Sequence, residues 1–147
     1  MKIVKCSEAT LQETAALFNN YRIFYEQKSD YESCYAFLKN NVEQNRSIIF
    51  VLLDDNQKAV GFSQLYPSFC SVEMSPICYL YDLYIEKESR GKGYSKDLMQ
   101  YILDYFKETD VVRLTLDTAF TNKIAQSLYE SIGYKRESDF IMYHYRY

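Results

Sequence analysis

The sequence predicts a single α/β domain built on a mixed central β-sheet flanked by helices. Three observations carry this. The apolar period switches along the chain between 2 and ~3.6 residues, giving the order β-α-α-β-β-β-α-β-α-β. One continuous apolar run, Ser47–Leu53, is too short for a helix and reads as a buried strand. The 147 residues match the size of one domain, 1–147, and no linker, repeat or low-complexity stretch interrupts them.

Lys2–Lys5 alternates polar and apolar and opens as a strand. Ser7 or Thr10 caps the first helix, with Glu13 completing a capping box with Thr10. Leu11, Ala15, Phe18 and Arg22 or Ile23 form its inner face. Asp30 caps a second helix whose inner residues are Cys34, Phe37, Leu38 and Val42. After the Ser47–Leu53 strand, 54–58 is a turn and Ala59–Tyr66 a partner strand that stops at Pro67. Cys78–Ile85 is the next strand, followed by a polar stretch to Gly93. A helix to about Lys107 then buries Leu98, Met99, Ile102, Leu103 and Phe106. Val111–Asp117 is a strand with Val112, Leu114 and Leu116 inward. Thr121–Ser131 is a helix with Ile124, Ala125, Leu128 and Ile132 inward, closed by Gly133 in the left-handed region. Asp139–Tyr147 alternates again and is expected to close the sheet, with a short extra strand at 134–136 as an option.

Composition narrows the function. Lys and Arg number 17 against 20 Asp and Glu, a net charge of −3 with no basic tract, so no nucleic-acid partner is expected. Cys6, Cys34, Cys70 and Cys78 form no metal-ligand spacing, and the one histidine, His144, stands apart from them, so no metal is expected. The cysteines read as small hydrophobes in a reducing cytoplasm. No run of 18 apolar residues and no apolar leader occur, so no membrane partner is expected. Tyrosines number 16 and glycines only 4, so each glycine is expected to serve the backbone.

Gly91 and Gly93 lie together between a strand and a helix, in Ile85-Glu86-Lys87-Glu88-Ser89-Arg90-Gly91-Lys92-Gly93-Tyr94-Ser95-Lys96. Residues without side chains let a bound group approach the main chain. The helix start beyond them offers N–H groups and a positive dipole end to an anion. Arg90, Lys92 and Lys96 add charge, so the loop reads as a phosphate or pyrophosphate site. The same residues also suit a plain strand-to-helix turn with solvated cations. The dinucleotide fingerprint fails because Lys96 occupies its third glycine position, and the P-loop pattern is absent.

Arg90-Gly91-Lys92-Gly93-Tyr94-Ser95 resembles the R/Q-x-x-G-x-G/A acetyl-coenzyme A loop of the GNAT superfamily of N-acetyltransferases, with Ser95 departing from the usual Gly or Ala. Asn122, Ala125, Leu128-Tyr129-Glu130 and Gly133-Tyr134 are similar to that family's N-x-x-A-x-x-[LF]-Y-x-x-x-G-[FY] segment. The resemblance implies the GNAT fold. It also implies acetyl transfer from acetyl-coenzyme A to a primary amine by direct attack. The pantetheine arm would lie along Leu83, Tyr84 and Ile85, and the pyrophosphate would take N–H groups from Arg90 through Ser95, with Lys96 in reach of a phosphate. Asn122 and Ala125 would hold the cofactor arm, and Tyr129 would serve the departing sulfur. The N–H of Leu83 would face the oxyanion. Each has a plainer reading beside it: Asn122 as a helix cap, Tyr129 as packing.

Asp82 is the one carboxylate inside the apolar strand, where it needs a partner or a task. It could bind the amine, act as base or anchor a loop. Tyr79-Leu80-Tyr81-Asp82 is similar to a segment of the diamine acetyltransferases, but Tyr81 stands where they carry an acidic residue. Glu86 falls past the strand end, in solvent. Tyr25, Tyr66, Phe69 and Tyr143 are candidates for an acceptor pocket. A non-catalytic acyl-coenzyme A sensor on the same fold is the rival reading, and a homodimer is left open. Polyamine, amino acid, aminoglycoside and protein amino groups are all open as acceptors.

Overall fold

The computed structural model describes every residue from Met1 to Tyr147. The chain forms two compact units, Met1–Asp117 and Thr118–Tyr147. The first contains β1 (Lys2–Lys5), α1 (Glu8–Phe24), α2 (Tyr31–Glu43), β2 (Ile48–Leu53), β3 (Ala59–Cys70), β4 (Ser75–Ile85), α3 (Tyr94–Lys107) and β5 (Leu114–Leu116). The second contains α4 (Lys123–Ser131). The strands form one sheet in the order β1-β2-β3-β4-β5. All neighbours are antiparallel except β4 and β5, which are parallel and joined through α3, as a parallel pair requires a crossover.

β2 explains its own sequence. Ile49, Val51 and Leu53 pack with Leu11, Ala15 and Leu38 in one core. Phe50 points the other way, and its ring meets Tyr101 and Tyr105 of α3 at 5.4 and 5.1 Å. A strand covered on both faces carries apolar residues at every position instead of alternating. Asp30 caps α2 as expected, its Oδ1 accepting from the Ser33 N–H at 3.1 Å. At α1 the cap is Ser7, whose N–H donates to Thr10 Oγ1 at 3.1 Å. Glu13 is not part of a capping box; its carboxylate accepts the Ala59 N–H at 2.7 Å and ties α1 to the start of β3.

Several boundaries differ from the sequence reading. β3 runs through Pro67 to Cys70 and forms a long hairpin with β4. β2 starts with Ile48 opposite Leu65, so β3 is an edge beyond that point, where a proline's missing N–H is tolerated. Ile23, Phe37, Val112 and Ile124 face solvent instead of the interior. β5 keeps only Leu114–Leu116 of the expected strand. Glu86 is half-buried, and its carboxylate pairs with Lys58 Nζ at 3.6 Å.

The largest correction is at the end of the chain. Asp139–Tyr147 forms no strand, and neither does 134–136. Phe140, Ile141, Met142, Tyr143 and Tyr145 are exposed. Alternation supplies a face, but a strand also needs a ladder partner. The unit Thr118–Tyr147 contains one helix and no strand, so it offers none.

Gly61 shows how tightly β3 and β4 meet at the site end of the sheet. A Cβ there would fall on the Ile85 side chain and 3.0 Å from the Tyr84 carbonyl oxygen. Gly61→Ala is expected to lower stability by about 1–3 kcal/mol through overpacking. Urea denaturation checks this, and an unchanged midpoint would contradict it.

Candidate active site

β4 carries the site. Its register against β3 pairs Gly61 with Ile85, Phe62 with Tyr84 and Gln64 with Asp82, then slips so that Leu65 faces Leu80. Tyr81 is therefore the extra residue of a β-bulge, and its side chain is 61% exposed. A bulge bends a strand and sharpens its twist. On the other side, β5 pairs only with Cys78, Tyr79 and Leu80. From Tyr81 to Ile85, one edge of β4 thus has no strand beside it. An extended ligand arm can use such an edge as an added strand would.

The exposed edge leads into the glycine loop. After a short 3-10 turn at Lys87–Ser89, Gly91 and Gly93 take φ values of +76° and +81°, in the left-handed region. Nothing lies within 4 Å of where a Cβ would stand at either, so their role is backbone conformation and the space in front of them is open. Gly93 caps α3, and the first helical bonds come from Lys96 and Asp97 back to its carbonyl. The N–H groups of Gly91, Lys92, Gly93, Tyr94 and Ser95 have no protein acceptor. A run of unpaired N–H groups at a helix start is suited to a phosphate group. Of the nearby cations, Arg90 folds back onto β4. Its Nε donates to the Ile85 carbonyl at 2.9 Å and its guanidinium lies 5.5 Å from the centre of the Tyr84 ring. Lys92 Nζ lies 5.9 Å from the Tyr94 ring centre.

Asp82 is 8% exposed. Its Oδ2 accepts from Gln64 Nε2 at 2.8 Å, while the nearby Tyr21 hydroxyl donates to the Tyr81 carbonyl at 3.4 Å. Burial pushes the Asp82 carboxyl above the usual carboxylate range, while the Gln64 donor and then the nearby Tyr21 hydroxyl pull against it. Tyr21 is pushed upward in turn, by its own burial and then by the charge of Asp82. Gln64 is a buried partner of Asp82 that the sequence motifs do not mark. A weaker signal is present: one amide in the otherwise apolar or small-residue run Ala59-Val60-Gly61-Phe62-Ser63-Gln64-Leu65.

Beside this face of β4, a cleft of about 440 Å³ is lined by Asn20, Ile23 and Phe24 of α1 together with Tyr84, Lys87 and Arg90. Tyr84 lies two residues from Asp82, on the same strand face. Of the tyrosines expected at an acceptor pocket, Tyr66 is tied into the Asp82 surroundings, its hydroxyl accepting from Asn41 Nδ2 at 3.3 Å. Tyr25, Phe69, Tyr143 and His144 are exposed.

In the second unit, Asn122 caps α4, its Oδ1 accepting the Ala125 N–H at 3.2 Å. Asn122, Ala125 and Tyr129 follow at spacings of three and four, so they share one side of the helix. Tyr129 is half-buried, with its ring 6.0 Å from that of Tyr134. Gly133 takes φ of +101° just past the helix end, as expected of its position.

The sequence profile of the Acetyltransferase (GNAT) family matches residues 11–134. An uncharacterized N-acetyltransferase of Bacillus subtilis, YhfO, is 38% identical, over 97% of this chain and 95% of its own length. A probable acetyltransferase of Haemophilus influenzae is 29% identical, over 92% of this chain and 90% of its own. A crystal structure of a probable acetyltransferase superposes with a TM-score of 0.93 at 34% identity, covering 100% of this chain and 98% of that one.

The raised Asp82 carboxyl fixes a direction for stability. Its folded-state pKa lies above the unfolded value of ~3.9, so the folded state holds the extra proton between the two. The contribution is fully present below pH ~3.9 and is lost as pH rises through the folded value. Relative to Asp82→Asn, the wild type should therefore lose stability as pH rises from about 4. Denaturation of both proteins across pH 4–8 checks this; a constant difference would contradict it.

Proposed function

The chain belongs to the GNAT family of acetyltransferases, and from that premise we propose that it moves the acetyl group of acetyl-coenzyme A to a primary amine. One observation carries the reading. The strand edge left open past Leu80 runs directly into five unpaired N–H groups, with open space before both loop glycines. A long thiol-terminated arm ending in a pyrophosphate matches that sequence of features. Leu83, Tyr84 and Ile85 would bond the arm. The N–H groups around Gly93 would take the pyrophosphate, with Arg90, Lys92 and Lys96 supplying charge.

In the reaction the amine lone pair forms the N–C bond to the acetyl carbonyl carbon. The C–S bond breaks, its electron pair goes to sulfur, and one proton leaves nitrogen. Asp82 is read as the acceptor of that proton. A carboxyl raised by burial has a pKa nearer the operating pH, which makes it a better base than a solvated one. The Leu83 N–H is read as the donor to the carbonyl oxygen, where charge develops. Tyr129 is read as the hydroxyl that supplies a hydrogen bond or proton to the leaving sulfur, with Asn122 and Ala125 beside it on α4. The amine would enter by the cleft at Asn20, Phe24 and Tyr84. The four unbridged cysteines suit a cytoplasmic setting, and no helix is long and apolar enough to cross a membrane.

The decisive test is thiol release from acetyl-coenzyme A across polyamines, amino acids, aminoglycosides and peptide amines. Turnover with one class is expected, and coenzyme A binding without release for any class would overturn the reading. Two variants test its parts. Gly93→Val places a branched side chain at φ +81° in the open space before the loop. Calorimetry should show at least a tenfold loss of coenzyme A affinity in a folded protein, and unchanged affinity would remove the phosphate assignment. Tyr129→Phe deletes only a hydroxyl. Turnover should fall about tenfold or more, at least ~1.4 kcal/mol of transition-state help, with cofactor affinity kept. Normal turnover would reduce Tyr129 to packing.

A further inference from the structure

Gln64 stands opposite Asp82 across the β3–β4 ladder and is completely buried. Its two ends are held differently. Oε1 accepts from Ser47 Oγ at 2.7 Å and from Asn41 Nδ2 at 3.0 Å. Nε2 donates to Asp82 Oδ2 at 2.8 Å. Two donors converging on Oε1 decide which way the amide points. Turned over, its NH₂ would face the NH₂ of Asn41, and its oxygen would face a carboxylate. The anchors come from separate elements: Asn41 lies on α2, Ser47 just before β2, and Gln64 on β3. Asn41 and Ser47 are themselves buried, so neither gives up a bond to water.

We propose that Gln64 is the positioning residue of the acetyl transfer, its amide N–H fixing Asp82 Oδ2 so that the carboxylate keeps one orientation toward the amine. This rests on the reading of Asp82 as the group that takes the amine's proton. An amide N–H is a donor only, so it favours the ionised carboxylate. The buried base is thereby kept able to accept a proton despite its desolvation. The other groups facing it do not substitute. From α1 comes the Tyr21 hydroxyl, which donates to the Tyr81 carbonyl at 3.4 Å and is pushed upward by its burial and then by Asp82. From β3 comes Tyr66, pushed up to about 12 by its burial and then by Asp82. α2 contributes only the neutral Asn41, through Gln64. No lysine or arginine is paired with Asp82. Gln64 thus provides the one donor that carries no titratable proton of its own.

The test uses Gln64→Leu, Ser47→Ala and Asp82→Asn in the full chain, with one amine throughout. Two quantities are read: the Asp82 carboxyl titration by carbon NMR without ligand, and kcat/KM against pH. In Gln64→Leu the carboxyl should titrate at higher pH than in the wild type. The acidic limb of the rate profile should move the same way. kcat should fall at least tenfold, with KM for acetyl-coenzyme A within about twofold. A role in folding alone would move neither the titration nor the limb. Ser47→Ala removes one anchor of Oε1 and should give a smaller movement of the same sign; it decides the question if Gln64→Leu fails to fold. An unmoved titration and limb in the folded variants overturns the proposal, while inactive Asp82→Asn keeps the base assignment standing. Full activity and an unchanged profile in Asp82→Asn removes that base assignment instead, and the role of Gln64 in transfer with it.

Discussion

The register slip between Gln64 and Leu65 gives β4 one residue more than β3 can pair, and the open edge of β4 begins at the same point. Below the slip, β4 is an ordinary central strand, bonded to β3 on one side and to β5 on the other. Above it, β3 continues to pair through Ile85 while β5 stops opposite Leu80. The strand remains rigid because one edge is still laddered. Its other edge has no strand beside it past Leu80. A site built on a half-paired strand holds its main-chain groups more firmly than a loop can, and so suits a ligand that must be held in line with a reacting atom.

The slip also coincides with the buried carboxylate. Asp82 is the last residue to pair before the register changes, and Gln64 is its partner. A carboxylate in this apolar setting would be costly alone. Here the cost is offset by a chain of neutral donors running from Asn41 and Ser47 through Gln64. No cation is used. A lysine or arginine beside Asp82 would lower its proton affinity. Neutral donors hold the group in place and leave its proton affinity raised by burial.

Much of the fold is legible in the sequence because it depends on local pattern. The Ser47–Leu53 run, the Asp30 cap, the α3 face and the two loop glycines all declare themselves within a few residues. What is not legible depends on partners distant in sequence. Pro67 looks like a stop until the start of β2 makes β3 an edge there. Glu13 fits a capping box, yet it meets Ala59, 46 residues on. Asp139–Tyr147 has a strand's alternation but no ladder partner within its own unit. Asp82 is conspicuous as a charge in an apolar strand, whereas Gln64, Asn41 and Ser47 acquire their meaning only when α2, β2 and β3 come together.

The glycine loop divides its labour in a way that composition alone obscures. By composition, Arg90, Lys92 and Lys96 suggest that positive side chains make the anion site. Arg90, however, is spent partly on the Ile85 carbonyl and the Tyr84 ring, fastening the loop to the end of β4. The five N–H groups without a protein acceptor are the loop's fixed donors. Their direction is set by Gly91 and Gly93 in the left-handed region, a conformation that side chains disfavour. Fixed dipoles need no reordering when an anion arrives, whereas flexible lysines lose rotamer freedom on binding. The main chain thus supplies the loop's geometry, Lys92 and Lys96 lie in the same segment, and Arg90 fastens the loop to the end of β4.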